Sequence, residues 1–197
     1  MKKIKLYYIE LDKLNENIIN NLPFIKEEDY TNANRFALKQ NKLQHLISYY
    51  FKRKYLGDYS LNEYGKPISK GKYANLSHCD NLVIVGVSDC DIGVDIERVK
   101  PVKEELKRYV SSDIENEEIK SDLDFFKIWV AKESLIKCLG LTISKIKEVP
   151  SLPFVGKREY LGNTFYTKET KINDYLVAVT IKSDEDFELD ISQEEIV

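Results

Sequence analysis

One mid-chain stretch, residues 75–97 (NLSHCDNLVIVGVSDCDIGVDIE), constrains the fold more than any other. Residues 81–88 form a nearly unbroken apolar run, long enough for a buried strand. The polar SDCD of residues 88–91 offers a turn. Residues 92–96 then read as a second strand, forming a hairpin with the first and ending in acid. Residues two apart on a strand share a face. Gly93, Asp95 and Glu97 therefore point one way, and Val94 and Ile96 the other. Two neighbouring carboxylates on one face repel unless a cation lies between them. Ser77 and His78 stand just ahead of the first strand, downstream of Lys66, Lys70 and Lys72. A candidate anion-binding corner and a candidate cation-binding corner thus share one hairpin.

The 197 residues are enough to bury a core. No apolar run approaches the roughly 20 residues of a membrane span. The opening MKKIKLYYIELDKL has no long apolar segment of the secretory kind. Cys79, Cys90 and Cys138 are odd in number and show no CxxC spacing. They read as reduced thiols of a cytoplasmic protein with no membrane partner. Only two histidines, His45 and His78, are present and lie far apart in sequence, which argues against zinc. The net charge of -3 is uneven: residues 1–90 hold 14 basic and 10 acidic groups, and residues 91–197 the remaining 16 and 23. A basic half beside an acidic half suits a phosphorylated ligand gripped at the seam. A plain solvated surface explains the same charges, and taken alone they favour it. Nucleic acid is not an expected partner, because the overall balance is acidic and no such motif occurs.

Residues 4–11 alternate and open as a strand. Residues 15–22 read as a short helix stopped near Pro23. Residues 27–55 read as two helical segments meeting near Ala33 to Phe36. In the second, Leu43, Leu46, Ile47, Tyr50 and Phe51 recur at helical spacing, and Gly57 stands in a stop position. Gly65 and Pro67 bracket Lys66 in a loop. Ser112 to Glu115 has capping-box spacing. Residues 122–139 form the strongest helix of the second half, ended by Gly140. Residues 144–156, with Pro150 and Pro153, read as a loop. Residues 164–171 and 175–182 read as a hairpin, and residues 187–191 as a last edge strand.

An internal echo runs through this layout. Residues 7–14 (YYIELDKL) match 92–99 (IGVDIERV) in pattern, and residues 81–88 match 174–181. The helix ending Tyr55-Leu56-Gly57 parallels the one ending Cys138-Leu139-Gly140. The order strand, helix, hairpin thus occurs twice. The expectation is an α+β chain of two similar lobes, residues 1–90 and 91–197, in pseudo-two-fold arrangement. Each is a small, mostly antiparallel sheet packed with a long helix. Chance likeness among amphipathic elements is the competing reading.

The second helix carries WVAKESLIKCLG, in which Glu133 and Lys137 are four apart and share a side. A surface ion pair worth less than about 1 kcal/mol explains that pair by itself. If Glu133 instead faces Asp95 and Glu97, three carboxylates converge, which suits Mg²⁺ with waters and phosphate oxygens as its other ligands.

Lys66 in YGKP, the Asn75-Leu-Ser-His78 run, Gly93-Val-Asp-Ile-Glu97 and Trp129-Val-Ala-Lys-Glu133-Ser-Leu-Ile-Lys137 together resemble 4′-phosphopantetheinyl transferases of the surfactin-synthetase-activating type. The motifs follow that family's order and spacing from about residue 35 to residue 137. The length resembles its two-lobed monomers rather than its shorter trimeric branch. The resemblance implies transfer of phosphopantetheine from coenzyme A to a serine of an acyl, peptidyl or polyketide carrier protein, with release of adenosine 3′,5′-bisphosphate. It places coenzyme A in a cleft between the lobes. It implies Asp95, Glu97 and Glu133 as Mg²⁺ ligands, Glu133 as base, and Lys137 beside the departing phosphate with Lys132 near it. Ser77 and His78 would meet the phosphates, and Lys66 the adenosine end. Arg35 and Lys39 would grip the 3′-phosphate, with Lys42 less firmly placed. The chain departs from the family at Gln44 and His45, where an arginine and a small residue are common, and at Cys79, where serine is. Residues 110–115 only loosely match another family segment, with Glu115 its acid. Two other readings stay open: a silent binder of coenzyme A or carrier, and a Mg²⁺-dependent phosphohydrolase of unrelated fold.

Overall fold

The computed structural model describes residues 1–196. The first sheet is built from β1 (Lys2–Glu10), followed after short helices α1 (Glu16–Asn20) and α2 (Glu27–Ala33) by the long helix α3 (Lys39–Leu56). A two-stranded flap, β2 (Ser60–Leu61) and β3 (Pro67–Ile68), precedes β4 (Tyr73–Cys79) and β5 (Leu82–Ser88). The second sheet opens with β6 (Ile92–Arg98). Helices α4 (Glu104–Val110), α5 (Asp113–Glu118) and the long α6 (Asp122–Leu139) follow. Strands β7 (Gly156–Tyr160), β8 (Asn163–Ile172), β9 (Tyr175–Lys182) and β10 (Phe187–Gln193) close the described chain. Among the described residues, no helix is long and apolar enough to cross a membrane.

The sheets have the orders β10-β1-β5-β4 and β6-β9-β8-β7. All pairings are antiparallel except β1 with β10. The orders β1-β5-β4 and β6-β9-β8 correspond, each with its long helix after the first strand. The repeat seen in sequence is therefore a repeat in topology, and the α+β, two-sheet architecture follows the expectation.

The unbroken apolar run of β5 has a simple cause: both of its faces are covered. Leu82 and Ile84 join Ile4 and Leu6 in a core between the sheets, against Val94, Ile96, Val177 and Val179. Val83 and Val85 turn the other way, onto Ile47 and Phe51 of α3. Strand β9 repeats the pattern, with Leu176 and Ala178 packed on Phe125 and Leu135 of α6. Each helix thus covers the outer face of its own sheet.

Two expectations are corrected here. β5 and β6 are not a hairpin: both edges of β5 are filled by β1 and β4, and the SDCD turn carries the chain from one sheet to the other. β10 is an edge strand, but of the first sheet, with Ile4 opposite Leu189. The tail after it stays with that lobe, because Glu194 accepts hydrogen bonds from Tyr50 and Tyr55 and pairs with Lys54. The last part of the chain therefore crosses back over a division at residue 90.

Candidate functional site

The site is created by a close contact between β6 and α6. A Cβ on Gly93 would lie 1.9 Å from the Ser134 carbonyl oxygen and 2.3 Å from the Cys138 nitrogen. Only glycine lets the helix backbone come so near. Glu133 and Lys137, one turn apart, are thereby brought beside Asp95. Lys137 Nζ lies 2.6 Å from Asp95 Oδ1 and 4.0 Å from Glu133 Oε2. From β4, Ser77 donates to the same Asp95 oxygen at 2.9 Å and accepts from Lys137 at 3.0 Å. Two positions earlier, Asn75 Oδ1 accepts the Val94 N–H at 2.9 Å. β4 and β6 are thus joined across the sheet boundary by side chains where no backbone ladder exists.

Two of the carboxylates, Glu133 and Glu97, are disfavoured by their surroundings. Burial lifts Glu133 to about 6, with Lys137 opposing and Asp95 assisting the rise. Burial and the Asp95 charge lift Glu97 to about 7. Asp95 Oδ2 and Glu133 Oε1 are buried without a hydrogen-bond partner. Asp95, Glu97, Glu133, Lys137, His78 and Trp129 line one cavity of about 390 Å³. Leu76, His78 and Lys137 also line a second cavity of about 270 Å³, walled by His45 and Lys52 of α3 and by Tyr64 and Lys66 of the flap. The two form one cleft, acidic at one end and basic at the other. Among the described residues, no three His, Cys, Asp or Glu side chains are gathered closely enough to hold a metal as they stand.

Residues 91–187 match the family model of the 4'-phosphopantetheinyl transferase superfamily. The transferase Sfp of Bacillus subtilis (strain 168) is 30% identical over 162 residues, covering 72% of this chain and 72% of that protein. The chain belongs to the 4′-phosphopantetheinyl transferase family. The transferase HetI of Nostoc sp. is 26% identical over 172 residues, covering 75% of this chain and 73% of that protein. The transferase gsp of Aneurinibacillus migulanus is 33% identical over 89 residues, which are 40% of this chain and 36% of that protein.

In this phosphopantetheinyl transferase, the structure brings Ser77, His78, Asp95, Glu97, Glu133 and Lys137 to one cavity. Crowding around the His78 ring, with His45 and Lys137 nearby, lowers its pKa and keeps the imidazole neutral at physiological pH. Lys66 lines the cleft, but its ammonium is spent on Asp91 and on the Cys138 carbonyl, both at 2.6 Å. It latches the flap to the end of α6.

Lys132 is not in the cleft, and its sequence-based placement there is corrected. Its Nζ is fully buried, 2.7 Å from Glu115 Oε2, and donates to the Val110 and Ile146 carbonyls. Glu115 in turn accepts from Ser151, so both charges have partners inside the second lobe. Arg35 and Lys39 are exposed, and neither lines the cleft. Lys39 and Lys42 line a different cavity, of about 600 Å³, between α3 and the helices before it. Gln44 is buried and donates to the Asp80 carbonyl, while its neighbour His45 reaches the cleft. Sequence reasoning missed Ser48 and Lys52, although His45, Ser48 and Lys52 share one face of α3 by their spacing of three and four.

Proposed function

We propose that this transferase moves the 4′-phosphopantetheine arm of coenzyme A to a serine hydroxyl of an apo carrier protein. The serine oxygen bonds to the pantetheine-bearing phosphorus. The bond from that phosphorus to the bridging oxygen breaks, and adenosine 3′,5′-bisphosphate leaves with the electron pair. The serine proton goes to a carboxylate, for which Glu133 is the candidate. The observation that carries this reading is the cleft itself, with a lysine shared between an acidic end and a basic end. Lys137 stands where it can offset charge gathering on the phosphates. His78, neutral, offers them an N–H donor. Side chains from before and after residue 90 both line the cleft, so a single chain completes it and a monomer suffices. Acyl, peptidyl and polyketide carriers all fit the chemistry, and a cytoplasmic location suits the reduced thiols.

Mg²⁺ fits the acidic end. Asp95 Oδ2 and Glu133 Oε1 are buried oxygens with no partner, and Glu97 adds a third hard donor at the same cavity. When bound, the ion would neutralise the pyrophosphate and weaken its repulsion of an incoming oxygen. Asp95, Glu97 and Glu133 are the residues that would hold it. Because binding would relieve the cost of these crowded acids, Mg²⁺ at ten times its dissociation constant should stabilise the fold by about 1.4 kcal/mol, raising Tm by roughly 3 to 5 °C. Asp95→Asn should lose most of that rise; an equal rise in the variant places the ion elsewhere.

The function is tested by incubating the protein with coenzyme A, Mg²⁺ and a panel of apo carriers and weighing each carrier. A mass gain of one phosphopantetheine is expected. Unchanged carriers with intact coenzyme A would point to a silent binder, and release of free phosphopantetheine without a carrier to a hydrolase. His78→Ala should weaken coenzyme A binding by about 10- to 100-fold, the worth of one hydrogen bond to a charged group. Wild-type affinity in a calorimetric titration would remove His78 from the phosphate contacts.

A further inference from the structure

Three ammonium groups line the basic cavity: Lys52, Lys66 and Lys137. Two are committed, Lys66 to Asp91 and Lys137 to Asp95. Lys52 has neither a carboxylate nor a hydrogen-bond acceptor among the described residues. Its Nζ rests 5.1 Å from the centre of the Tyr49 ring. Asp29 is the acid that acts on it, and that carboxylate is already held by Arg53 at 2.5 and 2.9 Å. Burial lowers the Lys52 pKa, and Asp29 only partly offsets this. A cation kept partly out of water without a counter-charge is costly, and an anion entering the cleft would remove that cost.

Its place in the cleft says which anion. The acids line a cavity to which α3 contributes nothing, whereas His45, Ser48 and Lys52 wall the neighbouring one. Lys52 is therefore at the end away from the reacting groups. His45 beside it is neutral at physiological pH, since burial and the Lys52 charge both lower its pKa. Lys52 is the cation that α3 brings to that end. Coenzyme A carries its third phosphate on the ribose, beyond the pyrophosphate as seen from the pantetheine arm.

We infer that Lys52 holds the ribose 3′-phosphate of coenzyme A and sets the preference for coenzyme A over its 3′-dephospho form. This rests on the transferase reading above, and it moves the phosphate grip away from Arg35 and Lys39, which lie outside the cleft. The test is calorimetric titration of wild type, Lys52→Gln and Lys52→Arg with coenzyme A and with 3′-dephospho-coenzyme A. Lys52→Gln should lose about 10- to 100-fold in affinity for coenzyme A and keep its affinity for the dephospho form. Lys52→Arg should retain the wild-type preference. Equal weakening toward both donors, or no weakening toward either, overturns the assignment. Since binding is read without transfer, a wild type that prefers coenzyme A but modifies no carrier overturns the transferase reading and leaves Lys52 where it is placed here.

Discussion

Glu133→Gln is expected to cut carrier modification by about 100- to 10,000-fold, the usual worth of a positioned general base. Measured without Mg²⁺, coenzyme A affinity should stay close to wild type, because Lys137 and His78 are untouched. The fold should not suffer. Burial has moved Glu133 from an ordinary 4.5 to about 6. A carboxyl whose folded pKa is raised favours the native state below the unfolded value, and loses that contribution as pH rises through the folded value. At pH 7.5 the ionised group therefore costs about 2 kcal/mol, from 1.5 pH units at 1.36 kcal/mol each. Glutamine removes the charge and keeps the shape. Without Mg²⁺, the variant's Tm at pH 7.5 should be no lower than that of wild type. An inactive protein that melts early would mean that Glu133 supports the structure. A fully active one would mean that the proton goes elsewhere.

Much of this arrangement was legible in the sequence, and the exceptions have physical reasons. α6 is legible from its apolar stripe and from Gly140, which takes the left-handed conformation that closes it, and the structure adds Ser121 as its cap. The apolar run of β5 announced a strand buried on both faces, but not its partners. Apolar content records burial, and pairing is decided by which strand arrives at each edge. β4 escaped notice because its alternate residues Asn75 and Ser77 turn polar groups onto β6. The position of Lys132 in the sequence marks it as buried. It lies four residues after Ile128 and four before Ile136, inside the apolar stripe, where a lysine must find a buried partner. Glu115 is that partner. Lys137 lies off this stripe and reaches the cleft. Lys39 and Lys52 could not be separated by charge alone; their difference in face along α3 separates them.

Gly93→Ala should be the most damaging single methyl in the protein. The added carbon would meet backbone atoms of α6, at 1.9 Å from the Ser134 oxygen and 2.3 Å from the Cys138 nitrogen. Neither atom can rotate away, so the helix as a whole must shift. Overpacking of this kind costs about 1 to 3 kcal/mol or more, or roughly 3 to 10 °C in Tm for a chain of this size. Catalysis should fall further than stability, because Glu133 and Lys137 ride on the displaced helix and Lys137 would leave its 2.6 Å contact with Asp95. Gly86→Ala supplies the comparison. There the new carbon meets side chains rather than backbone, Val94 and Ile92 at 2.5 and 2.8 Å, and these can yield only by repacking the buried core between the sheets. Gly86→Ala should therefore lose stability by repacking but keep more of its turnover than Gly93→Ala, because no backbone of α6 is displaced. If the two variants lose turnover equally, close approach of helix to strand is not what holds the acids together, and the site owes its geometry to the β4–β6 side-chain links instead.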